Sequence, residues 1–379
     1  MKLLFLSHTS DCSGGAQKCL LDLLKGIKQI YPDWQIFMVF PGAGDLVDAC
    51  SSYLDGYTFL QMEWWLIGDE EHITLRKKVS YVCNLLKYSM KLVSYLKLIK
   101  PDYGITNTIV LPHLALSCKL LGVKHCWFIH EMPDLTWQNI TPIFKYRFIY
   151  KVVDRFSDKI LVTSECVKCH YRNLVANDKV SVINQAVDLP LMPDMNYAQK
   201  VRKRYTILLV GAFDSNKGQL ELLQAVKKII VEGRDIFCYL VGPDTGLMSV
   251  CQDFVKDNRL DGNVEIVPYV KEISSYYFKV DALLVCSAFE TFGRVAVEAQ
   301  MCGLPVILSN VGANPERIED GKNGLLYQKN NIMDLVAKIE MLRDDITRNV
   351  FIENIDLDAV RKKYSTVRFA SHFSRLLSE

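Results

Sequence analysis

Two glutamates, Glu290 and Glu298, flank a segment whose residues could bind an anionic ligand. The apolar run 282–286 predicts a strand, and a helix is expected to begin near Phe292. Gly293 would let a ligand approach the backbone, and the first N–H groups of the helix, at the positive end of its dipole, suit a diphosphate. Helical side chains lean toward the N-terminus, so Glu298 would lie near the same end. The spacing alone also fits an ordinary solvated helix.

The surrounding sequence resembles the donor-binding half of the retaining family 4 glycosyltransferases, which are group 1 glycosyl transferases of the GT-B fold. The matching residues are 281–287, Glu290, Phe292, Gly293, Glu298, Ala299, 302–307, Gly312, Pro315, Glu316 and 321–326. The resemblance implies that Glu290 contacts the donor sugar and Glu298 the ribose hydroxyls. It also implies that backbone N–H groups hold the diphosphate and sugar, and these belong to Thr291, Phe292, Gly293, Arg294 and Val295.

A second stretch, 210–218, resembles the Gly-Arg…Lys-Gly stretch of the same family and places Gly211 in the donor site. Lys217 would then neutralise the leaving diphosphate, whose charge grows as the glycosidic bond breaks. A surface lysine is the alternative. The arginine usual in the family is replaced by Ala212, and Arg294 could compensate because a guanidinium suits phosphate.

Tyr269 lies near the expected base pocket, next to Pro268, which stands where the family usually has glycine. In the first half of the chain, Gly14 and Gly15 follow the first predicted strand. They resemble the glycine loop that meets the diphosphate and sugar from across the cleft. A generic nucleotide loop also fits, although the full G-x-G-x-x-G pattern is missing.

His130 follows another predicted strand, where the family tends to place a histidine near the anomeric centre of the sugar. A structural histidine is the alternative. Glu131 and His8 are weaker candidates for contacts with the acceptor. The region 40–100 resembles nothing in the family that assigns a role.

Apolar, β-branched runs alternate with longer helix-like stretches along the chain, which is the pattern of parallel sheets. Strands are predicted at 2–7, 34–40, 103–107, 125–130, 159–163 and 180–184, and then at 205–211, 237–241, 264–267, 282–286 and 306–309. The pattern predicts an α/β protein of two Rossmann-like domains. The resemblance implies the GT-B arrangement, in which they face each other across a deep cleft.

The expected domains are an N-terminal acceptor-side domain, 1–188, and a nucleotide-sugar-binding domain, 205–355. The segment 189–204, with its prolines and basic end, is the predicted linker. The last residues, 356–379, are expected to form a helix that packs back toward the N-terminal domain.

Two basic and aromatic stretches could bind an anionic membrane surface. Residues 76–100 hold seven Lys and Arg and no Asp or Glu, and 142–155 continues the pattern. A helix with apolar and basic faces can lie on anionic lipid, which would suit a lipid-linked acceptor. A packed helix with an ordinary solvated face is the alternative.

Composition excludes several other classes of function. A net charge of +2 gives no global field for nucleic acid, and no apolar run has the length of a membrane span. The first apolar run is too short for a signal peptide, and twelve cysteines then suggest reduced thiols. A cytoplasmic protein is expected, with a peripheral position on the membrane left open. C-x-x-C-H at 166–170 is interpreted as coincidence rather than haem attachment, and D-x-D at 356–358 as a helix cap rather than a metal site.

These features predict retaining transfer of a hexose or N-acetylhexosamine from a UDP- or GDP-sugar to a glycan or lipid-linked acceptor. Synthesis of cell-surface polysaccharide or glycoconjugate is the expected setting, with no cofactor and no metal ion. The resemblance implies that the departing phosphate oxygen helps to take the acceptor proton. Two alternatives stay open, namely a nucleotide-sugar epimerase on a similar fold and a non-catalytic nucleotide-sugar-binding partner subunit.

Overall fold

The computed structural model describes residues 1–12, 14–68, 73–136, 140–189 and 204–379, and these divide into two compact units. The first unit holds Met1–Ala186 together with Tyr364–Glu379, and the second holds Val187–Lys363. Residues 190–203 of the predicted linker lie outside the described residues.

The first unit is built on a parallel sheet. Its strands are β1 (Lys2–Leu6), β2 (Gln35–Phe40), β3 (Gly56–Phe59), β4 (Leu66–Gly68), β5 (Tyr103–Thr106), β6 (Lys124–Ile129), β7 (Ile140–Pro142), β8 (Lys159–Val162) and β9 (Val180–Val182). Seven of them form one sheet in the order β3-β2-β1-β5-β6-β8-β9, while β4 and β7 form a separate antiparallel pair. Buried parallel strands read as continuous apolar runs, which is why most were predictable.

Seven α-helices lie in the described residues before the second unit. They are α1 (Gly15–Ile30), α2 (Asp45–Cys50), α3 (Leu75–Ile99), α4 (His113–Leu121), α5 (Pro133–Thr136), α6 (Tyr146–Arg155) and α7 (Glu165–Tyr171). Ser164 caps α7 by accepting from the Val167 N–H, as predicted. Cys166 and Cys169 both lie in this short helix.

The second unit is also built on a parallel sheet. Its strands are β10 (Thr206–Val210), β11 (Phe237–Val241), β12 (Val264–Val267), β13 (Ala282–Val285), β14 (Val306–Ser309) and β15 (Gly324–Tyr327), in the order β12-β11-β10-β13-β14-β15. Its helices are α8 (Gln219–Val231), α9 (Met248–Asp257), α10 (Ser274–Tyr277), α11 (Arg294–Met301), α12 (Ile332–Arg343), α13 (Asp345–Glu353) and α14 (Leu357–Lys363).

The C-terminal segment is two helices rather than one. After α14, a new helix α15 (Thr366–Ser378) begins because the Ser365 hydroxyl accepts from the Arg368 N–H and caps it. Helix α15 packs on α1 in the first unit, and a Cβ at Gly26 would lie 2.2 Å from the carbonyl oxygen of Thr366. The Tyr103 hydroxyl donates to the carbonyl oxygen of Leu377 at 2.7 Å. The final helix is therefore part of the first core.

Each sheet has one point where the strand order reverses direction, between β1 and β5 in the first unit and between β10 and β13 in the second. Loops that leave the carboxyl ends of such strands diverge, and ligands of open α/β sheets bind there. No described helix combines the length and the apolar composition needed to span a bilayer.

Candidate active site

Lys217 and Glu290 form an ion pair at the reversal point of the second sheet. Lys217 follows β10 and Glu290 follows β13, and the Lys217 Nζ lies 2.6 Å from the Glu290 Oε1. Ser287 Oγ donates to the same carboxylate oxygen at 2.7 Å. Burial alone would lower the pKa of Lys217, but the charge and hydrogen bond of Glu290, with the charge of Asp214, raise it above its ordinary value. Lys217 is therefore a cation held against a carboxylate.

The Asn216 side chain hydrogen-bonds the loop after β10 to the loop after β13. Its Oδ1 accepts from the Phe289 N–H at 3.0 Å, and its Nδ2 donates to the Phe289 carbonyl at 3.2 Å. Asp214 Oδ1 in turn accepts from the N–H groups of Asn216 and Lys217, at 2.8 and 3.0 Å. An aspartate that bonds the backbone two and three residues later is a turn signature. That signature could have revealed the turn, but not the partner loop.

Three glycines make room for these side chains. A Cβ at Gly211 would lie 3.0 Å from the Cγ of Lys217, and one at Gly218, where φ is +73°, would lie 2.0 Å from the Cys286 carbonyl oxygen. At Gly312, where φ is +56°, a Cβ would lie 2.2 Å from the Glu290 carbonyl oxygen. The Ala313 N–H donates to that same oxygen at 2.8 Å. Gly312 thus fixes the backbone that carries Glu290.

Helix α11 begins at Arg294, two residues later than Phe292, where the sequence predicted its start. Gly293 has φ +83°, a left-handed conformation that precedes the first helical residue and cannot belong to the helix. Thr291, Phe292 and Gly293 therefore form the approach to the helix, and Arg294 and Val295 open its first turn. The first N–H groups of a helix have no carbonyl partner earlier in that helix, and an anion site at this helix start stays a prediction.

Glu298 lies one turn into α11 and is almost wholly buried, at 7% exposed. The Tyr277 hydroxyl donates to its Oε2 at 2.7 Å, and the Arg294 Nε lies 3.9 Å from its Oε1. Burial, and then the negative charge of Glu298, raise the pKa of Tyr277, so this hydroxyl stays a proton donor. Tyr277 was not predicted as a site residue, because nothing in the sequence links it to Glu298.

A second arginine lies beside the start of α11. The Arg317 guanidinium carbon lies 4.7 Å from the centre of the Phe292 ring, and Arg317 is only 6% exposed. Its Nη2 contacts Glu316 at 3.1 Å. Arg317 directly follows Pro315 and Glu316, which resemble the family in sequence, but no role was predicted for Arg317 itself. Tyr269 follows β12, two strands from β10 on the same edge of the sheet, and is 51% exposed.

In the first unit, His130 follows β6 and both of its ring nitrogens are engaged. Nδ1 lies 3.2 Å from the Gln185 Nε2, and Nε2 lies 2.8 Å from the Asn107 Oδ1. An amide nitrogen can only donate, so Nδ1 accepts and the proton is on Nε2, which donates to Asn107. The Asn107 Nδ2 donates to the Ala16 carbonyl at 3.2 Å and so joins the end of β5 to α1. Neither Asn107 nor Gln185 was predicted.

Glu131 is held by the N–H groups of His130 and Ile109, at 3.2 and 3.3 Å, and by the Thr108 hydroxyl at 3.3 Å. Burial raises its pKa to about 7, although these hydrogen bonds oppose the shift. Glu131 can therefore change its charge near neutral pH.

His8 follows β1, and its Nε2 lies 3.3 Å from the Gln17 Nε2. Burial lowers its pKa to about 4, although Asp11 opposes this, so the ring is neutral. Gly14 precedes α1 and Gly15 opens it, and a Cβ at Gly14 would lie 2.0 Å from the Gln17 Oε1. These residues share the carboxyl edge of the first sheet with His130.

Among the residues that the structure describes, no group of three His, Cys, Asp or Glu side chains is arranged to hold a metal ion. The Asp356 Oδ1 accepts from the Ala359 N–H at 2.9 Å, at the start of α14. The capping interpretation of the D-x-D stretch is confirmed.

Comparison with known proteins identifies the family. The family model described as glycosyl transferases group 1 matches residues 194–357. An uncharacterized glycosyltransferase of Methanocaldococcus jannaschii is 30% identical over 308 residues, which cover 79% of this chain and 81% of that protein. The chain belongs to the glycosyl transferases group 1 family.

Two further proteins are similar to this glycosyltransferase, one in sequence and one in structure. A UDP-Gal:alpha-D-GlcNAc-diphosphoundecaprenol alpha-1,3-galactosyltransferase of Escherichia coli is 23% identical over 295 residues, which cover 72% of the glycosyltransferase and 74% of that enzyme. The crystal structure of Anabaena HepE in complex with UDP-glucose has a TM-score of 0.79 at 19% identity and covers 100% of the glycosyltransferase and 99% of HepE. The predicted membership of the group 1 glycosyl transferases and the α/β fold of GT-B type, with two Rossmann-like domains, are confirmed. The assignment to family 4 stays a prediction. The roles of individual site residues remain predictions.

Proposed function

We propose that the glycosyltransferase moves a hexose or N-acetylhexosamine, with retention, from a UDP- or GDP-sugar to a glycan or lipid-linked acceptor. The Lys217–Glu290 pair carries the proposal, because it sets a cation and a carboxylate close in the chain to the start of α11, where the proposal puts the donor diphosphate and its sugar. Support comes from HepE, which was crystallised with UDP-glucose, and from the E. coli relative, whose name describes transfer to a lipid diphosphate. Cell-surface polysaccharide or glycoconjugate synthesis is the proposed setting.

In this proposal the donor diphosphate binds at the N-terminus of α11, with Lys217 as its counter-charge. Lys217 would be shared between Glu290 and the phosphate, so the carboxylate positions the amine before the donor arrives. Glu290 would accept hydrogen bonds from the donor sugar, and Glu298, already oriented by Tyr277, from the ribose. As the glycosidic bond breaks, charge grows on the phosphate, and Lys217 and the helix N-terminus stabilise that charge.

The acceptor oxygen would attack the anomeric carbon on the face that the phosphate leaves, and the departing phosphate oxygen would take its proton. His130 has both nitrogens engaged, so we assign it a positioning role near the sugar rather than that of a general base. His8 and Glu131 are proposed to contact the acceptor. No metal ion is required in this scheme, because Lys217 and backbone N–H groups supply the positive charge.

We further propose that the protein is cytoplasmic and binds the membrane through α3 and α6. The outer face of α3 exposes Leu75, Val79, Leu86 and Met90, and Lys87 and Lys91 lie on the same helix. An apolar stripe beside lysines suits anionic lipid. Sedimentation with phosphatidylglycerol vesicles should be lost in an L86S/M90S double variant. Equal binding to phosphatidylcholine vesicles, or none to either, would exclude this surface.

The function is tested in two steps with purified protein. UDP and GDP are first screened by thermal shift, since a tight binder well above its dissociation constant stabilises by several kcal/mol. Turnover of the matching nucleotide-sugars is then followed with glycan and lipid-linked acceptors, and the anomeric configuration of the product is read by NMR. Glu290→Ala should abolish transfer, Glu298→Ala should chiefly weaken donor binding, and Arg294→Ala should weaken it strongly. An inverted product would refute retention, and an absence of turnover would favour a non-catalytic subunit.

A further inference from the structure

The two carboxylate oxygens of Glu290 have different surroundings. Oε1 accepts from the Lys217 Nζ at 2.6 Å and from the Ser287 Oγ at 2.7 Å. No described residue donates to Oε2, which keeps some accessible surface although the side chain is only 12% exposed. A carboxylate oxygen has lone pairs for more than one hydrogen bond, and Oε2 has all of its own left. Oε2 is therefore the oxygen that can accept from a ligand hydroxyl.

Lys217 and Ser287 differ in how firmly they can orient this carboxylate. The Lys217 amine ends a long, flexible stem and can follow the carboxylate as it turns. In the proposed function the amine is also shared with the donor diphosphate. The Ser287 oxygen is bonded directly to Cβ, so a fixed backbone leaves it only a few staggered positions. Ser287 is thus the donor that can decide which oxygen of Glu290 faces the protein.

A buried chain of hydrogen bonds holds the backbone of Ser287. Ser309 is the last residue of β14, and its Oγ donates to the Ser287 carbonyl at 2.7 Å. The Asn314 Nδ2 donates to the carbonyl oxygen and to the Oγ of Ser309, at 3.0 and 3.1 Å. Ser287 is 1% exposed, and Ser309 and Asn314 are fully buried. The position of the Ser287 hydroxyl is therefore fixed from β14 and does not depend on Lys217.

The hydroxyl of Ser287 also differs from other buried hydroxyls in the acceptor that it bonds. The hydroxyls of Ser309 and Thr206 donate to backbone carbonyls, which is enough to satisfy a buried hydroxyl. Ser287 instead donates to an ionised side chain, and hydrogen bonds of that kind are stronger than those between neutral groups. The carboxylate of Glu290 is therefore held at Oε1 even when the amine of Lys217 moves.

We propose that Ser287 is a positioning residue that turns the Oε2 of Glu290 toward the donor sugar. The inference rests on the proposed function, in which Glu290 accepts hydrogen bonds from that sugar. Without the Ser287 hydroxyl, the carboxylate follows Lys217, and the sugar loses an acceptor at a fixed place. The nucleotide part of the donor does not bond Glu290 in this scheme, so Ser287 acts on the sugar part alone.

Calorimetry on the full chain tests this division between sugar and nucleotide. UDP-glucose, UDP-galactose, UDP-N-acetylglucosamine and GDP-mannose are compared with UDP and GDP, and the sugar nucleotide that binds most tightly is the probe. Ser287→Ala should weaken the probe about fivefold, as expected for one hydrogen bond, and should change the affinity for its bare nucleotide less than about twofold. In a Glu290→Ala background, Ser287→Ala should weaken the probe less than about twofold, because the carboxylate through which it acts is gone.

A matched control is Thr206→Val, which removes a buried hydroxyl from the amino end of β10. It should leave both affinities within about twofold of those of the unmodified protein. The positioning role is overturned if Ser287→Ala weakens the probe and the bare nucleotide equally, if it weakens neither, or if its effect on the probe persists in the Glu290→Ala background.

Thermal unfolding without ligand tests the contact separately from donor binding. Ser287→Ala should lower the melting temperature, and the loss should be smaller in the Glu290→Ala background, because the two residues bond each other. Equal losses in both backgrounds would overturn the contact. If no sugar nucleotide and neither bare nucleotide binds the unmodified protein, the proposed function fails, and the unfolding data still decide whether Ser287 holds Glu290.

Discussion

Removing the charges of Lys217 and Glu290, singly and together, tests whether the ion pair is a real element of the folded site. The changes are Lys217→Met, Glu290→Gln and the double variant. At 2.6 Å and an effective dielectric constant near 20, two unit charges attract by about 6 kcal/mol. Desolvation offsets much of this, and the side chains are 27% and 12% exposed. The expected coupling in the free energy of unfolding is therefore about 1–3 kcal/mol.

The coupling is measured by urea unfolding of the four proteins without ligand. A matched control is the surface pair Lys322–Glu319, which lies 2.8 Å apart but is 56% and 68% exposed, and it should show coupling close to zero. A coupling below about 0.5 kcal/mol at Lys217–Glu290 would refute the pairing. Transfer is the second measurement: Lys217→Met should lower its rate about a hundredfold or more if the amine stabilises the leaving diphosphate.

Three further changes test other residues described with the candidate active site. Gly312→Ala should destabilise the protein by about 1–3 kcal/mol in thermal unfolding, because φ is +56° and the new Cβ would meet the Glu290 carbonyl oxygen. The control Gly262→Ala, where the new Cβ would have open space, should change stability little. Equal destabilisation by the two changes would contradict this prediction. Tyr277→Phe should weaken UDP binding about fivefold by calorimetry, since Glu298 loses its orienting hydroxyl, and unchanged affinity would remove that role. The folded-state pKa of Glu131 lies above its unfolded value of 4.5, so its neutral form stabilises the fold at low pH, and this contribution is lost as pH rises through about 7. Denaturation from pH 4.5 to 7.5 should therefore show Glu131→Gln gaining up to about 3 kcal/mol relative to the unmodified protein, and parallel curves would contradict the shift.

The sheets were largely predictable because parallel strands buried on both faces read as short apolar runs. The missed strands are those without that signal. β3 (Gly56–Phe59) has two exposed aromatic residues. β15 (Gly324–Tyr327) begins with glycine and overlaps the stretch 321–326, which was matched to the family but not interpreted as a strand. The basic and aromatic stretch 142–155 is helical only from Tyr146, because Ile140–Pro142 instead pairs with β4.

The candidate site was also predictable only in part, because the sequence shows local motifs but not the contacts between residues far apart in the chain. Lys217 and Glu290 were singled out separately from their motifs, but their ion pair joins loops 73 residues apart in the chain. Asn216, Tyr277 and Gln185 were missed because each acts through a partner that only the sheet order brings near. The start of α11 was misplaced because Gly293 could extend a helix or precede one, and its left-handed φ is fixed by tertiary structure.

The docking of α15 on α1 has a consequence for the order in which the protein can fold. Domains generally fold as units from the N-terminus as the chain is synthesised. Here the second unit, Val187–Lys363, is complete before the ribosome reaches Thr366, whose carbonyl contacts Gly26, or Leu377, whose carbonyl accepts from Tyr103. Until then, the apolar surface of α1 that α15 covers stays open. The unit synthesised first is thus finished last, and a nascent chain released early would keep its second sheet but lack part of its first core.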